Sequence, residues 1–183
     1  MVESEAGEAV LRFVNTHADG GGRPELFGTA RGFADWAAGH ELLPPDVVVT
    51  ESDAVAAREL RDALVTVLLA HAAAPAPGLP DAEKYLEQAG ARYPLVAVIG
   101  REGARLRPAA GGVPGVLAGV LGAVAEAAQG DVWGRLKACC NPPCHFGFFD
   151  RTRNRSGRFC SPGCSSQVSM RAMRKRRKDA EMA

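Results

Sequence analysis

Apolar side chains in the first 71 residues follow the 3.6-residue period of a helix in three separate segments. The first lies within residues 4–16, the second follows Thr29, and the third follows the capping-box pattern Thr50-x-x-Asp53 and extends to about His71. The side chains that form the three stripes are Ala6, Val10, Phe13 and Val14, then Phe33, Trp36 and Ala37, then Ala54, Ala57, Leu60, Leu64 and Leu68. The pattern predicts three helices, with a glycine-rich loop over residues 18–24 between the first two.

The period of the pattern changes between residues 72 and 130. An Ala- and Pro-rich connection leads to Asp81, which can cap a short helix that contains Tyr85. Residues 94–99 are rich in β-branched side chains, and residues 104–106 can return as the second strand of a hairpin. An alanine-rich buried helix is predicted over residues 116–128. Together these elements predict an α+β fold, with a mainly helical N-terminal domain that has a small β-hairpin.

The composition of the chain is typical of a soluble protein. Its 183 residues are 46% hydrophobic, which is enough for one domain with a core and a small satellite. No apolar run approaches the roughly 20 residues of a membrane-spanning helix. The acidic N-terminus is followed by no apolar stretch like that of a secretory signal. We therefore expect a cytoplasmic protein without a membrane partner.

Positive charge is concentrated at the C-terminal end. Residues 1–134 contain 10 Lys and Arg against 18 Asp and Glu, a net charge of −8. Residues 135–183 contain 12 against 3, a net charge of +9. Because a partner meets the local field rather than the average charge, an acidic partner is expected to bind the C-terminal quarter.

All five cysteines of the chain lie within 26 positions of this basic quarter. Cys139 or Cys140 can form a first pair with Cys144, and Cys160 and Cys164 form a second pair after a spacer of 15 residues. Four thiolates suit the tetrahedral shell of a structural zinc ion, which leaves no open position for catalysis. The spacing predicts one structural Zn²⁺ per chain, and we do not expect an enzyme.

The residues between the two cysteine pairs have the pattern of a hairpin. Phe146 and Phe148 alternate on one face, residues 150–157 form a polar turn region, and residues 158–159 lead back to the second pair. We expect this hairpin to bring the two pairs together.

A basic helix is predicted after the second pair. Ser161 can cap it, Pro162 can occupy its first position, and Cys164 then lies in its opening turn. Knuckle, hairpin and helix in this order describe a treble-clef-like four-cysteine zinc finger that ends in a basic helix. The finger has few apolar residues, so metal binding is expected to supply most of its folding free energy.

Three segments of this C-terminal part carry a family likeness: RLKAC at residues 135–139, CCNPPC at residues 139–144 and FDRTRNRSGRFC at residues 149–160. They resemble the CGNR zinc finger. The resemblance implies that Cys139 and Cys144 are the first two ligands, with Cys140 as the alternative first ligand. The chain departs from the family at the motif after Cys164, where residues 165–167 are Ser-Ser-Gln instead of Gly-Asn-Arg.

Three segments of the N-terminal part carry a second likeness: residues 13–16, the segment with Phe33 and Trp36, and residues 50–53 leading into residues 58–61. They are similar to the ABATE domain that precedes this finger. The expected division is an ABATE-like domain over residues 1–133 and a CGNR-like finger over residues 134–183. The resemblance implies a stress-induced transcription regulator that binds DNA through its finger and has a regulatory or dimerising helical domain. A homodimer is expected.

Basic side chains of the finger form the predicted nucleic-acid surface. On the final helix they recur at three- and four-residue spacing and therefore share a face. The chain also offers Asn154, Gln167 and Arg171 as side chains that can contact base edges. The residues of the predicted surface are Arg151, Arg153, Asn154, Arg155, Arg158, Gln167, Arg171, Arg174, Lys175 and Lys178.

Two further expectations concern other partners. A small-molecule effector could occupy a pocket lined by Phe13, Asn15, Trp36 and Tyr85, although core packing of these side chains is favoured. The alternative to a DNA-binding regulator is a zinc-stabilised protein-interaction module, which the altered motif after Cys164 makes credible.

Overall fold

Side-chain caps set the starts of the first three helices. In the computed structural model, which describes residues 4–19 and 22–181, the Gly7 amide donates to Ser4 Oγ at 3.1 Å, and the Gly32 amide donates to the Thr29 hydroxyl oxygen at 3.1 Å. Thr50 and Asp53 form the complete capping box. The caps at Thr29 and Thr50 were predicted, because an N-cap satisfies amides that the helix itself leaves unpaired, whereas the Ser4 cap was not.

The described residues form six α-helices and two short β-hairpins. The N-terminal part contains α1 (Glu5–Val14), α2 (Ala30–Gly39), α3 (Glu51–His71), α4 (Leu79–Arg92), β1 (Leu95–Gly100), β2 (Gly103–Pro108) and α5 (Gly112–Gln129). The C-terminal part contains a 3₁₀ turn (Trp133–Arg135), β3 (Leu136–Ala138), β4 (Gly147–Phe149) and α6 (Pro162–Glu181). The predicted α+β class, mainly helical with a small hairpin and a C-terminal finger, is confirmed.

Two helices begin earlier than the sequence pattern indicated. α4 begins at Leu79, so Asp81 lies in its first turn instead of capping it. α5 begins at Gly112, four residues before the predicted start at 116. Both differences have the same cause, because Pro80 and Pro114 lie in first turns, where a missing amide proton removes no helical hydrogen bond.

The predicted β-hairpin is present and antiparallel. β1 pairs with β2 from Leu95 opposite Pro108 to Gly100 opposite Gly103. Gly103 has a φ of +140°, which a residue with a Cβ rarely adopts, and this position closes the turn. The hairpin packs on α5 through Leu95, which approaches Gly122.

An aromatic cluster forms the centre of the N-terminal core. The Phe13 and Phe27 ring centroids lie 5.5 Å apart, and Phe27 meets Trp36 edge-on at 5.1 Å and Phe33 at 5.0 Å. Edge-to-face aromatic pairs of this kind contribute about 0.5–1.5 kcal/mol beyond the area they bury. Phe27, which lies in a loop, was not part of any predicted stripe.

The finger shares its core with the N-terminal helices. Leu136 and Ala138 of β3 are fully buried and, with Phe149 of β4, belong to the same hydrophobic cluster as Phe13. β3 packs on α3, and the His71 ring at the end of α3 donates to the Leu136 carbonyl at 2.9 Å. The finger therefore has apolar support from the rest of the chain in addition to its metal, while the division at residue 133 stays a prediction.

One helix of the described residues, α5, is long and apolar enough by length and composition to cross a membrane. The core helix of a globular domain can meet the same criterion. Val116, Leu117, Ala118 and Val120 of this helix are buried in the core.

Candidate metal centre and basic surface

The first cysteine pair lies on the turn of the β3–β4 hairpin. Ala138 is opposite Gly147, the Cys139 amide donates to the Phe146 carbonyl at 3.0 Å, and the Cys144 amide closes the turn by donating to the Asn141 carbonyl at 2.7 Å. This arrangement is a zinc knuckle, in which a tight turn presents two sulfur atoms to one point.

The partner predicted for the Phe146–Phe149 segment was wrong. The segment pairs with Leu136–Ala138, before the first cysteine, instead of with residues 158–159. The reason is burial, since the β3 side chains pack under α3. Phe146 and Phe148 share the less buried face of this segment, because Gly147 and Phe149 are the buried positions of β4 and Phe146 is 36% exposed.

The return segment still helps to join the two cysteine pairs. The Cys140 amide donates to the Arg158 carbonyl at 2.9 Å. After it, the Cys164 amide donates to Ser161 Oγ at 3.2 Å, and α6 begins at Pro162. The predicted cap, first helical position and opening-turn cysteine are therefore all present.

Four sulfur atoms converge between the knuckle and α6. The Sγ atoms of Cys139, Cys144, Cys160 and Cys164 all lie within 4.8 Å of one another. The Cys144–Cys160 and Cys160–Cys164 sulfur separations are both 3.7 Å. Zinc–sulfur bonds of 2.3 Å in a tetrahedron place sulfur atoms about 3.8 Å apart, so the group fits a zinc ion.

The fifth cysteine faces away from this group. The Cys140 sulfur lies 3.7 Å from the carbonyl oxygen of Ala72, at the end of α3. The structure thus places Cys139, and not Cys140, in the sulfur cluster. Consecutive side chains at the start of the knuckle point to opposite sides of the backbone, so Cys139 and Cys140 point in different directions.

The thiols of the cluster need a cation to become thiolates together. Burial raises the pKa of Cys144 and of Cys160, and the neighbouring sulfur atoms raise that of Cys160 further. Burial also acts on Cys164, but hydrogen bonds from Asn141 and Ser161 outweigh it and lower its pKa to about 7. Zinc binding must release the protons of all four thiols, so zinc affinity falls as the pH is lowered.

A buried ion pair holds the loop between the two cysteine pairs. Lys137 Nζ donates to Asp150 Oδ2 at 2.7 Å, and the two side chains are only 2% and 1% exposed. Burial alone raises the pKa of Asp150, but hydrogen bonds from Lys137, Thr152 and Gly157 hold it well below its usual range. Arg135 donates to the carbonyls of Asp150 and Thr152 at 3.0 Å each. No sequence pattern predicted this network, whose signal in the sequence is limited to a Lys and an Asp inside the finger.

Polar side chains of the N-terminal part bind the knuckle directly. Asn15, the C-cap of α1, accepts from the Gly147 amide at 2.6 Å and donates to the Gly147 carbonyl at 3.0 Å. Arg23 donates to the Cys144 carbonyl at 3.0 Å, and His17 Nε2 lies 2.9 Å from the same oxygen. Arg23 also lies 4.7 Å above the Phe146 ring. The knuckle is therefore held from the side of α1 as well as by its sulfur atoms.

The predicted nucleic-acid residues all lie on the exposed surface of the finger. Side chains from Ser169 to Ala180 are exposed along α6, as are those of the 151–158 loop except Gly157. Arg155 pairs with the exposed Asp131 at 2.8 Å. The exposed set is Arg151, Arg153, Asn154, Arg155, Arg158, Gln167, Arg171, Arg174, Lys175 and Lys178.

Two members of this set are engaged with the knuckle. Asn141 Nδ2 donates to Gln167 Oε1 at 2.9 Å. Arg171 donates to the Pro142 carbonyl at 2.8 Å and to Asn141 Oδ1. These contacts form a tie between α6 and the knuckle, which we call the Asn141 tie and define as Asn141, Gln167 and Arg171.

The four residues of the predicted effector pocket lie in different surroundings. Phe13 and Trp36 are core neighbours with ring centroids 5.8 Å apart, whereas Asn15 binds the finger. Tyr85 lies on α4, where burial, and then the nearby Glu59, raise its pKa to about 12. The structure does not bring the four together.

Two family models match this chain. One, ABATE, is described as "Putative stress-induced transcription regulator" and matches residues 7–133. The other, the CGNR zinc finger, matches residues 135–177. The chain belongs to the ABATE family. No curated protein matches it.

The family confirms the resemblance seen in the sequence and the identity of the cofactor. A CGNR finger whose four cysteines lie within metal-binding distance holds one structural zinc ion. Cys139, Cys144, Cys160 and Cys164 are the residues placed to bind it. Neither family description names an enzymatic activity.

Proposed function

We propose that this ABATE-family protein is a cytoplasmic DNA-binding transcription regulator. In this proposal the zinc finger and α6 bind DNA, and residues 1–133 form a domain that senses an effector or forms a homodimer. The observation that supports the proposal best is the 20-residue helix α6, whose exposed basic side chains extend from a finger fixed by four sulfur atoms.

The charge and exposure of α6 suit phosphate binding. Residues 174–178 are five consecutive Arg and Lys side chains, so they cover every side of the helix within about one and a half turns. A helix that is polar all round gains little from packing against its own chain. Phosphates would neutralise its charge and release counterions, which makes such binding strongly dependent on salt.

We assign the Asn141 tie a positioning role in this function. Gln167 and Arg171 already have partners on the knuckle, so they are less available to bases than the sequence pattern indicated. Their contacts join the first turns of α6 to the loop between Cys139 and Cys144. Zinc binding and the direction of α6 are thereby linked through three side chains. We infer that Asn154, which is exposed on the 151–158 loop, contacts a base edge.

An electrophoretic shift on genomic DNA fragments at several salt concentrations tests the proposal. If about six of the basic side chains contact phosphates, the log of the affinity falls with log salt at a slope near −5. The triple variant Arg174→Gln, Lys175→Gln and Lys178→Gln should reduce that slope by about 2.7.

The matched control removes the same charge from the other domain. Arg31→Gln, Arg92→Gln and Arg101→Gln change exposed arginines of the N-terminal part and should leave the slope unchanged. Absence of a shift at low salt, or an equal loss in both triple variants, would refute DNA binding by α6. A protein partner retained after nuclease treatment would then favour the interaction module.

A further inference from the structure

The N-terminal part has an apolar cavity that carries two cationic side chains. The cavity has a volume of about 630 Å³ and lies between α1, α2, β2 and the start of α5. Its apolar wall includes Trp36, Leu42, Val116 and Val120, and the guanidinium-bearing side chains that line it are Arg12 and Arg107. Cavities of about 300–1,000 Å³ with mostly apolar walls and a few polar groups are typical small-molecule sites.

Arg12 and Arg107 are exposed, and among residues 4–19 and 22–181 neither has a hydrogen bond or ion pair to another side chain. This differs from Arg58 and Arg61 of α3, which bind the Phe27 carbonyl and the Glu25 carboxylate. A guanidinium binds a carboxylate through two parallel hydrogen bonds, and among the described residues no carboxylate occupies the guanidinium of Arg12 on α1 or of Arg107 on β2.

The adjoining cavity indicates where the charge of an anionic ligand would lie. It measures about 660 Å³ and meets the first along Ala9, Pro108 and Gly119. Its charged lining consists of two carboxylates, Glu5 and Glu126, and one guanidinium, Arg105. The excess of negative charge disfavours an anion on that side. The charge of an anionic ligand would therefore lie at Arg12 and Arg107, with its apolar body against Trp36.

We propose that this cavity binds a small organic acid, a carboxylate attached to an aromatic or acyl body. The inference names a site and a ligand class for the effector-sensing role proposed above. Binding of the acid does not depend on that role, whereas an effect of the acid on DNA binding rests on the proposed function. α1 connects the two regions, because Arg12 lines the cavity and Asn15, one turn later, holds Gly147 of the knuckle.

Calorimetric titration of the zinc-loaded full chain with 1-naphthoate and with decanoate tests the site, without DNA. The neutral counterparts 1-naphthamide and decanamide serve as probes that lack only the charge. We expect at least one acid to bind about tenfold or more tightly than its amide, and Arg12→Gln and Arg107→Gln each to weaken that acid about tenfold. Arg101→Gln, on the turn of the same hairpin but outside the cavity, should have no effect.

A second pair of variants consists of one that fills the cavity without removing charge and a matched control. A Cβ at Gly119 meets no atom within 4 Å, so Gly119→Leu should fold normally and fill the space where the two cavities meet. Gly90→Leu in α4 makes the same change where a Cβ is equally unobstructed, at a position that lines neither of the two cavities. Binding should be lost in the first variant and kept in the second.

Two results would overturn the proposal. One is that neither acid binds more tightly than its amide. The other is that Gly119→Leu binds the acid as well as Gly90→Leu does. The DNA shift assay on the same preparations separates the two proposals, since a protein that shifts DNA but binds neither acid contradicts only the cavity site.

Discussion

Replacement of Lys137 by methionine should destabilise the finger more than any change of an exposed ion pair. The variant keeps most of the volume of the side chain but leaves the Asp150 carboxylate, only 1% exposed, without its cation. Removing one partner of a buried pair costs about 3–5 kcal/mol, because the remaining charge is buried and uncompensated. For a chain of this size that corresponds to a fall in Tm of roughly 6–20 °C.

The chain provides a matched control at the surface of the same loop. Arg155 and Asp131 are joined at 2.8 Å, almost the Lys137–Asp150 distance, but their side chains are 44% and 80% exposed. Exposed pairs contribute at most about 1 kcal/mol, so Arg155→Met should lower the Tm by less than about 4 °C.

Both variants are measured by urea and thermal unfolding of zinc-loaded protein, followed by circular dichroism. The zinc content is determined before each experiment, so that loss of metal is not mistaken for loss of the ion pair. Equal and small shifts of the Tm in Lys137→Met and Arg155→Met would contradict this prediction. That result would mean that the burial of the Lys137–Asp150 pair does not determine its contribution to stability.

Three further predictions concern the finger and its attachment. Chelation under reducing conditions should expose residues 139–181 to proteolysis while α1 to α5 stay resistant, because the sulfur cluster joins the knuckle to α6; an unchanged digestion pattern would speak against this. Asn141→Ala should speed amide exchange in the first half of α6 and weaken DNA binding with an unchanged salt slope. The reason is that the Asn141 tie orients the helix without contacting phosphate, so a reduced slope would contradict that role. Gly147→Ala should lower stability by about 1–3 kcal/mol, because its Cβ would lie 2.6 Å from Val14 Cγ2, whereas Gly90→Ala should be neutral or stabilising; urea unfolding distinguishes the two.

The sequence signals that succeeded were local ones. Thr29, Thr50 and Ser161 each cap a helix through atoms three residues away, so a short window contains the whole cause. The zinc site could likewise be predicted from a short segment. Zinc needs only four thiolates, and nearly any loop that lets the cysteines meet can supply them.

The features that sequence analysis missed depend on contacts between distant segments. β4 pairs with β3 because Leu136 and Ala138 pack under α3, and nothing within residues 139–164 indicates that partner. The Asn141 tie joins residues 26 and 30 positions apart. The arginine-lined cavity requires α1 and β2 to meet, which no periodicity predicts.

The metal content and sulfur coordination of pure, untagged protein are the decisive measurement for the zinc centre. X-ray absorption at the zinc edge, combined with elemental analysis, should give one zinc ion per chain with four sulfur neighbours at about 2.3 Å. Protein that is folded and reduced but holds no stoichiometric zinc, or zinc bound by nitrogen and oxygen, would contradict it.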